Sequence, residues 1–141
     1  MSRRASIITS NMSFKYFTNT ELACTHCLSV PTARPENKMD SHFMEMIEDL
    51  REELGFPFIV TSAYRCPQHP VEARKKLSGA HSTGQAIDLA VKGEDAYRLL
   101  SGALRAGFTG IGVNQKGNSR FVHLDNIESS EARPRPWIWS Y

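Results

Sequence analysis

The sequence predicts an α+β domain, a small antiparallel sheet with helices packed on one face. Three observations predict it. Two long segments repeat their apolar residues at helical spacing. Four short segments are β-branched or alternate apolar with polar residues, as strands do. The last two of these are joined by a glycine-containing turn, which reads as a hairpin.

Residues 1–13 are polar and are expected to form an N-terminal arm. Residues 14–141 are expected to form one domain, a length sufficient for a real core. Thr18-Asn19-Thr20-Glu21-Leu22 predicts a short helix, with Thr18 as cap and Glu21 three residues on. Val30 to Lys38 holds Pro31 and Pro35 and reads as loop.

Met39 to Leu54 predicts the first long helix. Met39, Phe43, Met46, Ile47, Leu50 and Leu54 make one apolar stripe. Asp40 or Ser41 caps its start and Gly55 ends it. Pro57 to Ser62 is β-branched and predicts a strand that delivers Ala63-Tyr64-Arg65 to its end. Cys66 to Leu77 reads as a loop and a short helix, and its basic run Arg74-Lys75-Lys76 as a solvated face.

Ala86 to Val91 predicts a strand with Ile87, Leu89 and Val91 on one face and Asp88 on the other. Gly93 to Ala106 predicts the second long helix, with Ala96, Leu99, Leu100, Ala103 and Leu104 inward and Gly107 at its end. Gly110 to Val113 and Phe121 to Asp125 predict the hairpin, turning through Asn114 to Ser119. The basic, aromatic tail Arg133-Pro134-Arg135-Pro136-Trp137-Ile138-Trp139-Ser140-Tyr141 could line a groove for a sugar-peptide polymer, but is expected to dock the terminus on the core.

Composition excludes some functions. A net charge of +2 gives no basis for a nucleic-acid partner. No apolar run is long enough to span a membrane, so no membrane insertion is expected. Ser2-Arg3-Arg4-Ala5-Ser6-Ile7-Ile8 begins as a signal peptide does, but the apolar run stops at Thr9-Ser10-Asn11. The expectation is a chain made in the cytoplasm without a recognisable signal peptide, and a monomer.

The three cysteines are Cys24, Cys27 and Cys66. Cys24-Thr25-His26-Cys27 has metal-knuckle spacing, which Cys66 and His69 could complete. The absence of a second matching pair favours small buried thiols, with at most one disulfide.

The chemistry concentrates in Gly79-Ala80-His81-Ser82-Thr83-Gly84-Gln85-Ala86-Ile87-Asp88 and Arg120-Phe121-Val122-His123-Leu124-Asp125. If the two strands pair with apolar faces inward, Asp88 and His123 point to the same side. His81 then arrives from the preceding loop, which Gly84 allows to bend back. Two imidazoles and a carboxylate suit zinc and leave a position for water, as hydrolysis requires. Taken singly, each of the three also fits an ordinary loop or strand residue.

These motifs, with Phe17-Thr18-Asn19-Thr20-Glu21-Leu22-Ala23-Cys24, Ser62-Ala63-Tyr64-Arg65-Cys66-Pro67 and the Trp-containing end, resemble the zinc D-alanyl-D-alanine carboxypeptidases and murein endopeptidases. That family has a hedgehog-like fold. The resemblance is to its short bacterial and phage members, over about residues 14–141. It implies a zinc site on the sheet face away from the helices, with His81, Asp88 and His123 as ligands. It also implies a peptidase of peptidoglycan stem peptides or cross-links, acting in the periplasm or cell wall. Arg65 takes the place of the family arginine that contacts a substrate carboxylate or carbonyl. Gln85 is a further candidate substrate contact.

Two departures are visible. Gly79 stands where serine is frequent. Where many members carry a catalytic Glu or His before the last ligand, this chain has Arg120 and Phe121. Asp125 is then the local candidate proton acceptor, or else a carboxylate that orients a ligand imidazole. The alternative function is a non-catalytic, zinc-containing wall-binding or phage structural module.

Overall fold

The computed structural model describes residues 14–28, 39–66, 68–73 and 79–141, without the side chains of 27, 28, 72 and 73. The expected arm at 1–13, the loop at 30–38 and the basic run at 74–76 lie outside the described residues. The elements are α1 (Asn19–Leu22), α2 (Thr25–Leu28), α3 (Ser41–Leu54), β1 (Ile59–Ser62), α4 (Pro70–Ala73), a 3-10 turn (Ala80–Thr83), β2 (Ala86–Ala90), α5 (Gly93–Ala106), β3 (Gly110–Asn114), β4 (Phe121–Asp125) and β5 (Trp137–Ser140).

Local chemistry sets the helix ends. At α1, Thr18 accepts from the Glu21 amide while the Glu21 side chain accepts from the Thr18 amide, a complete capping box. Asp40 caps α3 by accepting from the Phe43 amide at 2.8 Å. Gly55 and Gly107 end α3 and α5 at φ 77° and 92°, a backbone region open to glycine.

The sheet order is β1-β2-β4-β3-β5. β1 to β4 pair antiparallel, and β3–β4 is the expected hairpin. β5 departs from the expected all-antiparallel sheet, because it pairs with β3 in parallel and makes the sheet mixed. No crossover helix is needed: β5 runs opposite to β4, as a returning strand does, but lies one strand further out.

One face of the sheet carries the core. Ile87, Leu89, Ile111, Val122 and Leu124 join Phe43, Ile47 and Leu50 of α3 and Leu99 and Ala103 of α5 in one buried cluster. The rotation of α5 differs from expectation, since Leu104 is 61% exposed and Gly102 is buried instead. A Cβ on Gly102 would lie 2.7 Å from the Leu50 side chain. The close approach of α3 at that glycine turns the inward stripe toward residue 102 and leaves Leu104 in solvent.

The opposite face holds Asp88 of β2 directly across from His123 of β4. It is closed over by very little side-chain bulk from β3, whose residues on that face include Gly110 and Gly112.

Candidate metal centre

The strand ladder brings two of the expected ligands together. Asp88 and His123 are register partners, so their side chains leave the sheet side by side. His81 arrives from the 3-10 turn, which Gly84 ends at φ 77°. Asp88 Oδ1 lies 2.9 Å from His123 Nδ1 and 3.2 Å from His81 Nε2. One ligand atom from each of the three residues falls within 4.8 Å of the others, the one such group among the described residues.

The outer nitrogens of both rings are anchored. His81 Nδ1–H donates to the Ala63 carbonyl at 2.7 Å, so its Nε2 lone pair faces Asp88. His123 Nε2–H donates to Asp125 Oδ2 at 2.7 Å, so its Nδ1 faces the same carboxylate. Two imidazole lone pairs and a carboxylate oxygen therefore converge, an arrangement that repels itself unless a cation or a proton sits among them. The donor set fits a divalent ion that accepts nitrogen and oxygen.

Charges confirm the coupling. Burial opposes ionisation of Asp88, but its close contacts with the His123 and His81 rings outweigh it and hold its pKa well below the usual carboxylate range. Burial likewise opposes charge on His123, but its bonds to Asp125 and Asp88 raise its pKa.

Asp125 is fully buried, and its oxygens are committed. Besides His123, it takes a two-pronged ion pair from Arg135: Nε donates to Oδ1 at 2.9 Å and Nη2 to Oδ2 at 2.7 Å. Burial raises its pKa, but bonds to His123 and Arg135 prevail and hold it at about 2. This geometry suits orienting the imidazole. It does not suit taking a proton from water, the other role expected of Asp125.

Arg65 lies in the segment after β1, as expected. Its backbone N–H donates to the His81 carbonyl at 3.2 Å, and its carbonyl accepts from Ser82 Oγ at 2.7 Å. It lines a cleft of about 330 Å3 with Ser62, Ala63, Thr20 and His69. Gln85 does not reach the site. Its amide donates to Asn126 Oδ1 at 3.0 Å, and Asn126 in turn contacts Met46 of α3. Strand alternation explains this, because residue 85 follows Ile87 and Leu89 to the helix side.

Cys66 Sγ lies 3.3 Å from His26 Nδ1, and Cys24 and Cys66 are buried thiols outside any disulfide. Among the described residues no third donor joins that pair; the side chain of Cys27 lies outside them.

Besides the Arg135 ion pair, β3 and β5 make contributions that the sequence reading does not include. Gly110 leaves room for the Asp125 carboxylate, since a Cβ there would collide with it. Trp139 of β5 lies 5.0 Å from the His123 ring, centroid to centroid. The alternating glycines of Gly110-Ile111-Gly112 were the available signal, because glycine inside a strand often marks a close approach.

Comparison with known proteins agrees with this geometry. The profile of the family described as Peptidase M15 matches residues 15–125. The chain belongs to the Peptidase M15 family. Peptidases of this family are zinc-dependent, and the buried His81–Asp88–His123 group could bind a metal ion. No curated protein matches the chain. No helix among the described residues is long and apolar enough to cross a membrane.

Proposed function

We propose that this M15 peptidase is a zinc enzyme that hydrolyses peptide bonds in peptidoglycan stem peptides or cross-links. The convergence of His81 Nε2, Asp88 Oδ1 and His123 Nδ1 carries the reading. Zinc held there would polarise a peptide carbonyl and lower the pKa of water. The protein's own part is to fix the ligands. The Ala63 carbonyl sets one imidazole and Asp125 the other, and Arg135 holds Asp125 in place. The Arg65 guanidinium, beside the cleft, binds a substrate carboxylate or the oxygen on which charge develops. The substrate is assigned on the motifs shared with the murein peptidases, and the site of action is accordingly the cell wall.

One observation favours a second reading, a zinc-stabilised wall-binding module. Asp125, the carboxylate expected to accept a proton, is already engaged by Arg135 and His123. Incubating the zinc-loaded protein with purified peptidoglycan separates the two. New free amino groups, abolished by His81→Ala, are expected of the peptidase. Wall binding without their release would leave the module.

A further inference from the structure

We propose that Tyr141 is a further catalytic residue of this site, its phenol donating a hydrogen bond to the scissile carbonyl oxygen alongside Arg65. The inference rests on the peptidase reading. It concerns a residue beyond the stretch that matches the family, which ends at 125.

The register of β5 brings the phenol to the metal face. Gly112 of β3 pairs with His123 on one side and with Trp139 on the other. All three therefore address the same face, as does Tyr141 two residues beyond Trp139. A Cβ on Gly112 would stand 2.5 Å from Trp139 Nε1 and 2.9 Å from the Tyr141 hydroxyl. The indole nitrogen and the phenol oxygen thus fill the space that a side chain on β3 would take, next to His123.

The phenol is held but open to solvent. Its ring packs on Phe121 at 4.9 Å between centroids, while the residue is 61% exposed. The Trp139 side chain hydrogen-bonds to Tyr141, and the indole N–H can only donate. A phenol oxygen that accepts one bond still has its own proton to give. Asp88, Arg65 and Asp125 all act electrostatically on this hydroxyl, which places it within the field of the cluster and of Arg65. Burial and the carboxylate charges keep the phenol protonated at neutral pH.

The step needs no proton transfer at Tyr141. As the oxygen of water bonds to the carbonyl carbon, the π electron pair moves onto the carbonyl oxygen and the water gives up a proton to solvent. When that pair returns, the carbon–nitrogen bond breaks and the leaving nitrogen takes a proton from solvent, giving a carboxylate and a free amine. The Tyr141 hydrogen bond strengthens toward that oxygen and relaxes when the carbon–nitrogen bond breaks. A donor aimed at developing charge lowers the barrier without tightening ground-state binding.

Tyr141→Phe tests this, since it keeps the ring on Phe121 and removes the hydroxyl. In the zinc-loaded full chain, kcat on a wall peptide should fall about 100-fold or more, with KM changed little. Affinity for a phosphinate peptide, measured by calorimetry, should weaken by a comparable factor, and zinc content should stay at the wild-type value. Unchanged kcat and phosphinate affinity would overturn the assignment, as would loss of zinc. If wild-type protein neither cleaves the peptide nor binds the phosphinate, the peptidase reading itself fails. An active wild type with an equally active Tyr141→Phe removes only the role of Tyr141.

Discussion

Asp125 grips Nε2 of His123 at 2.7 Å and thereby turns Nδ1 of the same ring toward Asp88. The carboxylate thus acts on the metal position through an imidazole. Asp125→Asn separates this role from that of a proton acceptor. Zinc affinity should drop roughly 10- to 100-fold, because the ring loses its orienting partner. Loss of an acceptor alone would leave affinity intact. Arg135, with a side chain only 7% exposed, also loses its counter-charge, so stability should fall by about 3 kcal/mol in urea denaturation.

Acid should expose the same carboxylate in the metal-free protein. Asp125 sits at about 2 in the fold. An unfolded chain holds an aspartate near about 3.9. Its contribution is therefore complete above pH ~4 and disappears as pH falls toward the folded value. Asp88, also depressed, adds to the same acid limb. Urea midpoints measured between pH 2 and 6 should rise with pH, and a flat profile would contradict the account.

His123 titrates in the opposite sense. Its raised pKa stabilises the metal-free fold below about 6.5 and ceases to do so as pH climbs through the folded value. A metal ion held at Nδ1 would displace that proton. Zinc binding should release a proton, and affinity should strengthen with rising pH. Calorimetry in buffers of different ionisation enthalpy counts the proton; none released would argue against His123 as a ligand.

Arg65 can be tested apart from the metal. Its backbone N–H and carbonyl bond the His81 carbonyl and Ser82 Oγ, and a substitution of the side chain leaves those backbone groups in place. Arg65→Ala should keep zinc and lower kcat/KM by about 100-fold. Wild-type turnover in that variant would remove Arg65 from the site.

Gly110 and Gly112 should tolerate no side chain. A Cβ at Gly110 meets the Asp125 carboxylate, and one at Gly112 lies 2.5 Å from Trp139 Nε1. Gly110→Ala should mimic the zinc loss of Asp125→Asn. Gly112→Ala should push β5 outward, seen as a changed tryptophan emission spectrum, with zinc retained. An Ala at either position that leaves these properties unchanged would contradict the packing described.

The parts of this protein legible in its sequence are those governed by local spacing. The α3 stripe, its Asp40 cap and Gly55 stop, the β3–β4 hairpin and the shared face of Asp88 and His123 follow from periods of 3.6 and 2. The rest depends on contacts distant along the chain. Leu104 fits the α5 period, and only the approach of Leu50 to Gly102 turns it outward. The parallel seat of β5 on β3 has no local signature, so Trp139 beside His123 was not foreseen. Arg135, ten residues from Asp125, resembles a surface cation until its buried ion pair is seen.

Zinc-edge X-ray absorption on the loaded protein tests the central claim most directly. The account predicts one zinc per chain, with two imidazole nitrogens and oxygen in its shell, no sulfur, and no bound zinc in His81→Ala. Sulfur in the shell, or zinc retained in full by that variant, would place the ion elsewhere and contradict it.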